Sequence, residues 1–489
     1  MSRSDWKTII GLEVHAEMLT QTKMFSACPV VDSVVAAPNS AVDPLSLGMP
    51  GTLPVVNMQA MEYGLMVGLA LHCEIPPFNQ FARKNYFYPD LPKGYQISQY
   101  EHPLAVNGYL DIELADGTSK RIRIRRAHME EDTGKLTHLG DGSSLVDYNR
   151  AGVPLLEIVT EPDIFSSEEA EAYARKLRAI LQFLGVNHGD MSKGVLRFEA
   201  NVSVMHKDDT DYRTRTEIKN LNSIRSMVRA IDVEVERQIK LYERGERVVS
   251  ATLGWNENTN AIIIQRYKER PDEYRYFPEP DLPIVQMSRE WVERVRASLP
   301  ELPELKRARF ERELGLTAYD ASVLTADKSV ADFYERVLSF GVAPKVAANW
   351  FIGDMFRLLN DHKLERERIA ETNITPQAFA ELIQLVETGA INANTARKDV
   401  LPILWETGQA PADIVREKGL AQVSDTALIS ETVADVFAQQ ASVVQRYLDG
   451  EDKVINALFG QVMGRLKGKA NPAVVREVMQ AKLDEMKQS

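Results

Sequence analysis

The order of apolar and polar positions divides the chain into two kinds of pattern. Over roughly the first 290 residues, period-2 segments alternate with Pro, Gly and Asn turns and with few helical stretches, which predicts a β-rich region. Residues 8–17 read as its first strand. Residues 110–114 and 121–125, joined through Asp116-Gly117, read as a hairpin, because Asp-Gly supplies the positive φ angles of a tight turn. In 195–204, Leu196, Phe198, Ala200 and Val202 share one face while Arg197, Glu199, Asn201 and Ser203 share the other. Residues 213–219 alternate as well, with Arg213, Arg215, Glu217 and Lys219 on one side. If these two strands pair, their charged faces coincide. A helix precedes them: Ser166 and Glu169 form a capping box, Tyr173, Leu177, Ile180, Leu181 and Leu184 recur at helical spacing, and Gly185 ends it.

Beyond about residue 300 the strand signals stop and helical periodicity takes over, with amphipathic helices expected at 331–340, 346–359 and 376–387. A break at 408–411 precedes a last set of helices. The expected fold class is therefore α+β: a β-rich N-terminal domain (1–295), an all-α helical domain (296–408) and a small helical tail domain (409–489).

Composition narrows this further. At 489 residues the chain exceeds the ~250 to 300 residues of a single core. With 44% hydrophobic and 26% charged residues it is neither collagen-like nor wholly disordered. A net charge of −12 excludes a uniformly phosphate-binding surface, so any contact with nucleic acid must be local. Two cysteines, Cys28 and Cys73, exclude a disulfide framework and any four-cysteine metal cluster. The first residues lack a signal-type apolar segment, and the longest apolar run, 64–71, is far too short to span a bilayer. The expectation is a cytoplasmic protein with no membrane contact.

Several familiar motifs fail. Gly134-Lys135 is followed by Leu136 and Gly468-Lys469 by Ala470, so neither is a P-loop, and there is no Rossmann G-x-G-x-x-G. Cys28 lacks a nucleophile elbow, and no amidase-type Gly-Ser-Ser-Gly-Gly stretch exists.

Other stretches carry chemistry. Glu13 and His15 lie two apart on a predicted strand, a spacing that lets a carboxylate and an imidazole grip one cation; taken alone, such a pair is more often a solvated face. Glu130, Glu131 and Asp132 follow Arg126 and His128, and adjacent acids repel one another unless solvated or neutralised. Glu157 sits in an apolar run and needs a partner there. Residues 81–100 concentrate Tyr and Phe with Lys84 and Lys93, punctuated by Pro89, Pro92 and Gly94; this stretch reads as a long loop whose rings either pack it down or hold a purine. Oxygen ligands, basic groups and ring faces are the ingredients of phosphoryl transfer. Residues 464–483 carry five basic side chains, Arg465, Lys467 and Lys469 among them, against one acidic residue, giving either an anion-binding patch or a solvated helix face.

Seven blocks in order (Ile10 to His15, Lys84 to Tyr100, His128 to Lys135, Asp147 to Asp163, Leu196 to Val204, Thr216 to Ser223, and Tyr274 to Pro283) resemble the B subunit of the aspartyl/glutamyl-tRNA amidotransferases. The resemblance covers essentially the whole chain. It implies a cradle-shaped catalytic domain, a helical domain and a tail that contacts tRNA. It also implies ATP and Mg²⁺, with Mn²⁺ as an alternative, used to phosphorylate the side-chain carboxylate of misacylated Glu-tRNA(Gln) and Asp-tRNA(Asn). An amidase (A) subunit would supply ammonia and a small C subunit would complete the assembly, in keeping with the missing amidase signatures. Carried onto this sequence, the metal ligands are Glu13, His15, Glu131 and Glu157, with Glu130, Glu199 and Glu217 in reserve. Glu131, Lys84 and Arg150 are the catalytic candidates. Tyr86, Lys219 and Asn220 line the nucleotide or acyl pocket, and Arg465, Lys467 and Lys469 meet tRNA. Family members often hold a structural zinc through four cysteines near 28 and 43–47; here Cys28 stands alone, so no zinc is expected and the loop 27–53 must be held by packing or stay mobile. The competing expectation is a non-catalytic tRNA-binding scaffold of the same complex.

Overall fold

The computed structural model describes residues 5–267, 274–421, 426–466 and 470–488. The chain divides into two compact units between Pro303 and Glu304. The described residues of the first unit form fifteen strands: β1 Trp6–Glu17, β2 Phe78–Asn79, β3 Ala82–Asn85, β4 Tyr95–Ser98, β5 Ala105–Glu113, β6 Ser119–Glu131, β7 Lys135–His138, β8 Ser144–Asp147, β9 Pro154–Thr160, β10 Leu196–His206, β11 Thr216–Leu221, β12 Ala251–Asn256, β13 Ala261–Tyr267, β14 Phe277–Pro278 and β15 Val285–Gln286. Eight of them form one sheet in the order β13-β12-β11-β10-β1-β9-β6-β5. Its pairings are antiparallel except β11 with β12.

Helices α1 (Met58–Ala70), α2 (Ser167–Phe183) and α3 (Ile224–Glu243) cover one face of this sheet. The sequence fixes their ends locally. Ser166 accepts a hydrogen bond from Glu169 N at the start of α2, and Ser223 accepts one from Ser226 N at the start of α3. Along β1, Leu12, Val14 and Ala16 are buried beneath the helices, so Glu13, His15 and Glu17 face the other way. The apolar run at 64–71 is most of α1, seated close on the sheet: a Cβ on Gly64 would lie 2.6 Å from Leu104 Cδ2 and 2.6 Å from Met129 Sδ.

The expected 110–114/121–125 hairpin is present, with Leu110 opposite Ile122 and Gly117 at φ +82°. β10 pairs with β11 so that Asn201 faces Glu217, and the charged faces do coincide. Two expectations need correction. Arg213 and Arg215 precede β11; Arg213 instead ion-pairs with Asp209 at 2.5 Å and stacks over the Trp6 and Tyr242 rings. Residues 81–100 are not one loop, because β3 and β4 pair with each other and frame the turn. The cysteine-poor loop 27–53 is stapled by asparagines: Asn39 Nδ2 donates to Val146 O (3.1 Å), Asn149 Nδ2 to Ala37 O (2.8 Å), and Ala41 N to Asn149 Oδ1 (2.8 Å).

The second unit is helical throughout its described residues, with two separate apolar cores. One runs from Phe310 to Val415 and the other from Ile429 to Leu483. Helices Lys328–Leu338 and Pro376–Glu387 lie where periodicity puts them. The stretch expected as one helix over 346–359 is two α segments around a π turn at Phe351–Met355, where buried Asp354 meets Arg397 at 2.9 Å. Packing breaks at 303 rather than 295, and the helix Pro411–Glu417 adds Ile414 and Val415 to the first helical core, so that core extends past 408. Among the described residues, no helix is long and apolar enough to cross a membrane.

Candidate active site

The uncovered face of the large sheet concentrates charge that the fold then buries. Two groups of potential ligands stand side by side across β1: His15, Glu130 and Glu157, and Glu13, Glu199 and Glu217. Within each group the ligand atoms lie within 4.8 Å of one another. Pairing creates the first group directly, since His15 is opposite Glu157 and Glu157 is opposite His128. His15 Nε2 lies 3.3 Å from Glu157 Oε2 and 3.8 Å from Glu130 Oε1. His128 Nε2 completes the cage at 3.6 Å from Glu157 and 3.8 Å from Glu130. Ser98 Oγ donates to Glu130 (3.1 Å). Among the described residues, no lysine or arginine nitrogen lies within 4.0 Å of either carboxylate.

The second group is served differently. Lys219 Nζ donates to Glu199 at 2.7 Å and stands 4.0 Å from Glu217, Asn201 Nδ2 donates to Glu13 (2.9 Å), and Thr252 Oγ1 donates to Glu217 (3.1 Å).

These neighbours move proton affinities in opposite directions. Burial alone would lower the His15 imidazole, but its hydrogen bond to Glu157 and the carboxylates of Glu157, Glu199 and Glu130 carry it up to about 9. Burial, then Glu157, Glu199 and Glu217, push Glu13 above the usual carboxylate range. Against its own burial, Glu157 is held well below that range by His128, His15 and Lys84. Lys84, on β3, loses proton affinity to burial and more than regains it from Glu130, Tyr276, Glu157 and Tyr86.

Aromatic rings line the rim above the first group. Tyr86 meets Tyr274 edge-on at 5.9 Å, Tyr274 meets Tyr276 at 6.2 Å, and Tyr276 stacks on Tyr100 at 4.2 Å. Lys84 Nζ sits over Tyr274 at 5.2 Å. The segment bearing Tyr274 and Tyr276 is fastened to β3 by the pairing of Phe277 with Arg83 and by Arg83 itself. That guanidinium grips Glu279 at 2.7 and 2.9 Å and Asp281 at 3.0 Å. A depression of about 370 Å³ lies on the adjoining loop, lined by Phe87, Tyr88, Pro89, Leu91, Pro92 and Gly94.

Of the residues singled out in the sequence, the structure places His15 and Glu157 in one group with Glu130, places Glu13 in the neighbouring group with Glu199 and Glu217, and sets Lys84 and Tyr86 at the rim. It separates Glu131. β6 carries an extra residue between Ile124 and Arg126, and this bulge reverses its alternation. Before it Ile122 and Ile124 are in the core and Arg121, Arg123 and Arg125 face out; after it Ala127 and Met129 are in the core and His128 and Glu130 face the clusters. Glu131 therefore points to the covered side, where Lys93 Nζ donates to both its oxygens at 2.6 and 2.7 Å and Ile97 N donates at 2.9 Å.

Arg150 also stands apart from both groups. It donates to Thr133 O (3.0 Å) and Gly134 O (2.9 Å) and lies 3.7 Å from Asp132, which Arg197 holds at 2.8 Å. Asp132, opposed by burial, is lowered to about 2 by those two guanidiniums. Asn220 is exposed on β11 at φ +63°. Arg465 is exposed and bonds Gln439 Oε1; Lys467 and Lys469 lie outside the described residues. Sequence reasoning did not assign roles to His128, Asn201, Tyr274 or Tyr276. Alternation with Glu199 marks Asn201, but nothing in the sequence announces the bulge that turns His128 inward.

A β-sheet cradle presenting clustered carboxylates under basic and aromatic groups fits a family of catalytic domains. Residues 8–293 match the family described as the GatB/GatE catalytic domain, and residues 332–483 match the GatB domain. The chain belongs to the family of B subunits of the aspartyl/glutamyl-tRNA(Asn/Gln) amidotransferases. It is 48% identical over 474 residues to the protein of that name from Thermodesulfovibrio yellowstonii, covering 97% of this chain and 98% of the other. Against the Geotalea daltonii protein of the same name the identity is 50% over 484 residues, covering 98% and 99%. A third, from Caldicellulosiruptor saccharolyticus, is 47% identical over 483 residues, covering 99% and 100%. The resemblance seen in the seven sequence blocks is borne out.

Proposed function

We propose that this chain is the ATP-dependent activating subunit of a tRNA amidotransferase, and that the open face of its large sheet phosphorylates the side-chain carboxylate of Glu-tRNA(Gln), Asp-tRNA(Asn) or both. The observation that carries the reading is the pair of buried to half-buried carboxylate groups, one of them with no lysine or arginine within 4.0 Å among the described residues, beneath a rim bearing Lys84. The donor sets fit divalent cations. Octahedral Mg²⁺ or Mn²⁺ places its ligands roughly 3 to 4.2 Å apart, compatible with atoms gathered within 4.8 Å. Buried His15 Nδ1, His128 Nδ1 and Asn201 Oδ1 have no hydrogen-bond partner among the described residues, so the site holds polar capacity that the protein leaves unused.

Glu13, Glu199 and Glu217 offer oxygen alone and suit Mg²⁺; His15 with Glu130 and Glu157 adds a nitrogen, which Mn²⁺ accepts more readily. Such ions, when bound, neutralise the charge of the transferring phosphoryl group. The residues of the chain do the rest. Lys84 and Lys219 present ammonium groups to phosphate oxygens, and the Tyr86, Tyr274 and Tyr276 rings exclude water and offer faces to a nucleobase. The substrate carboxylate oxygen attacks the γ-phosphorus of ATP, the bond to the β-phosphate oxygen breaks, and ADP leaves. Ammonia from an amidase partner then attacks the acyl carbon, phosphate departs and the amide remains. A small third subunit completes the assembly, the helical tail carrying Arg465, Lys467 and Lys469 meets the tRNA, and the reaction takes place in the cytoplasm.

The test supplies free ammonium, ATP, Mg²⁺ and Glu-tRNA to the assembled complex with its amidase nucleophile removed. Gln-tRNA should form with this chain intact and vanish with Glu157→Gln. Undiminished product from that variant would move the chemistry to a partner and leave a tRNA-binding scaffold.

A further inference from the structure

The strand that carries Glu217 and Lys219 changes phase in mid-course. Phe198 pairs with Leu221 and Ala200 with Ile218, so Lys219 and Asn220 together oppose the single residue Glu199. Thr216 and Ile218 are buried on the helix side, Glu217 and Lys219 face the carboxylates, and Leu221 is again in the core. Strict alternation would send Asn220 into the core and leave Leu221 on the charged face. The extra residue resolves the conflict, and the chain makes the correction at Asn220, which takes the left-handed conformation at φ +63°. Asn tolerates that region better than other side chains except Gly, and β-branched residues scarcely enter it. The Asn220 side chain is exposed and makes no hydrogen bond among the described residues.

We propose that Asn220 is a positioning residue: its left-handed backbone, not its side chain, aims Lys219 at Glu199 and so sets the countercharge of the Glu13, Glu199 and Glu217 group. This rests on the phosphoryl-transfer reading above and replaces the expectation that Asn220 lines the substrate pocket. The backbone argument makes Gly and Val opposite probes. Glycine keeps the conformation and removes the side chain; valine keeps a side chain and resists the conformation.

The experiment measures ATP-dependent amidation by the assembled complex for Asn220→Gly, Asn220→Val, Lys219→Ala and the double variant Lys219→Ala/Asn220→Val. Asn220→Gly should stay within about threefold of the parent, because glycine enters the left-handed region freely. Asn220→Val should lose about 100-fold in kcat, the scale of a misplaced catalytic group. Adding Asn220→Val to Lys219→Ala should cost little more than Lys219→Ala alone, because both changes remove one contact. A loss in Asn220→Gly as deep as in Asn220→Val would assign the role to the side chain and overturn the inference, whatever the stability of the valine protein. Additive losses in the double variant would overturn it too. Full activity in Lys219→Ala would overturn the underlying role of Lys219, and the inference with it.

Discussion

Glu130 and Glu131 are consecutive residues with opposite fates. Glu131 turns to the covered side of the sheet and is fully served, with Lys93 on both oxygens and Ile97 N on one. Glu130 turns to the open side, among Glu157 and two imidazoles, with Ser98 as its hydrogen-bond donor. A buried carboxylate with its own lysine is a structural device, since the pair is satisfied and gains nothing from a ligand. Buried carboxylates that share imidazoles and lack such a partner are arranged for something that comes and goes. On the function proposed above, the two sides of one strand separate stability from chemistry.

That separation can be broken by substitution, and the largest effect should come from the centre of the open face. Glu157→Gln removes the carboxylate that both His15 and His128 approach, and should lower kcat for ATP-dependent amidation about 1000-fold while leaving the melting temperature near the parent's. A comparable loss of melting temperature would show the group to be structural. Lys84→Met should follow, with about 100-fold lost in kcat, because the rim beside Tyr274 keeps its shape while losing the charge proposed above to meet phosphate. Retained activity would remove Lys84 from the reaction.

Glu131→Gln should do the reverse. Leaving Lys93 unpaired costs about 3 kcal/mol of folding stability, measured by denaturant unfolding, with kcat within about threefold of the parent. Loss of activity without loss of stability would return Glu131 to the catalytic role expected from sequence. The smallest effect concerns the thiols. Burial raises both, Cys73 to about 12, so neither should react appreciably with iodoacetamide at pH 8 until denaturant is added.

Much of this comparison was legible in the sequence, up to a definite point. Strict alternation placed Glu13 with His15 and Glu199 with Asn201, and capping residues located α2, because those signals act within a few residues. The hairpin phase of Arg121, Arg123 and Arg125, continued by twos, points to 127, 129 and 131 as outward positions. One inserted residue on β6 overrides it and substitutes Glu130 for Glu131. That bulge is set by how β9 docks against β6, a contact between distant segments that no local pattern encodes. The rim was hidden for the same reason. Tyr274 and Tyr276 reach Lys84 because their segment pairs with β3 and because Arg83 binds Glu279, 196 residues away.

The most direct measurement is Mn²⁺ binding to the assembled complex, followed by electron paramagnetic resonance, for the parent, Glu130→Gln and Glu131→Gln. The parent and Glu131→Gln should bind Mn²⁺ alike and Glu130→Gln should bind it at least about tenfold more weakly, as expected on losing a charged ligand. Binding that survives Glu130→Gln and fails in Glu131→Gln would contradict the assignment of the chemistry to the open face.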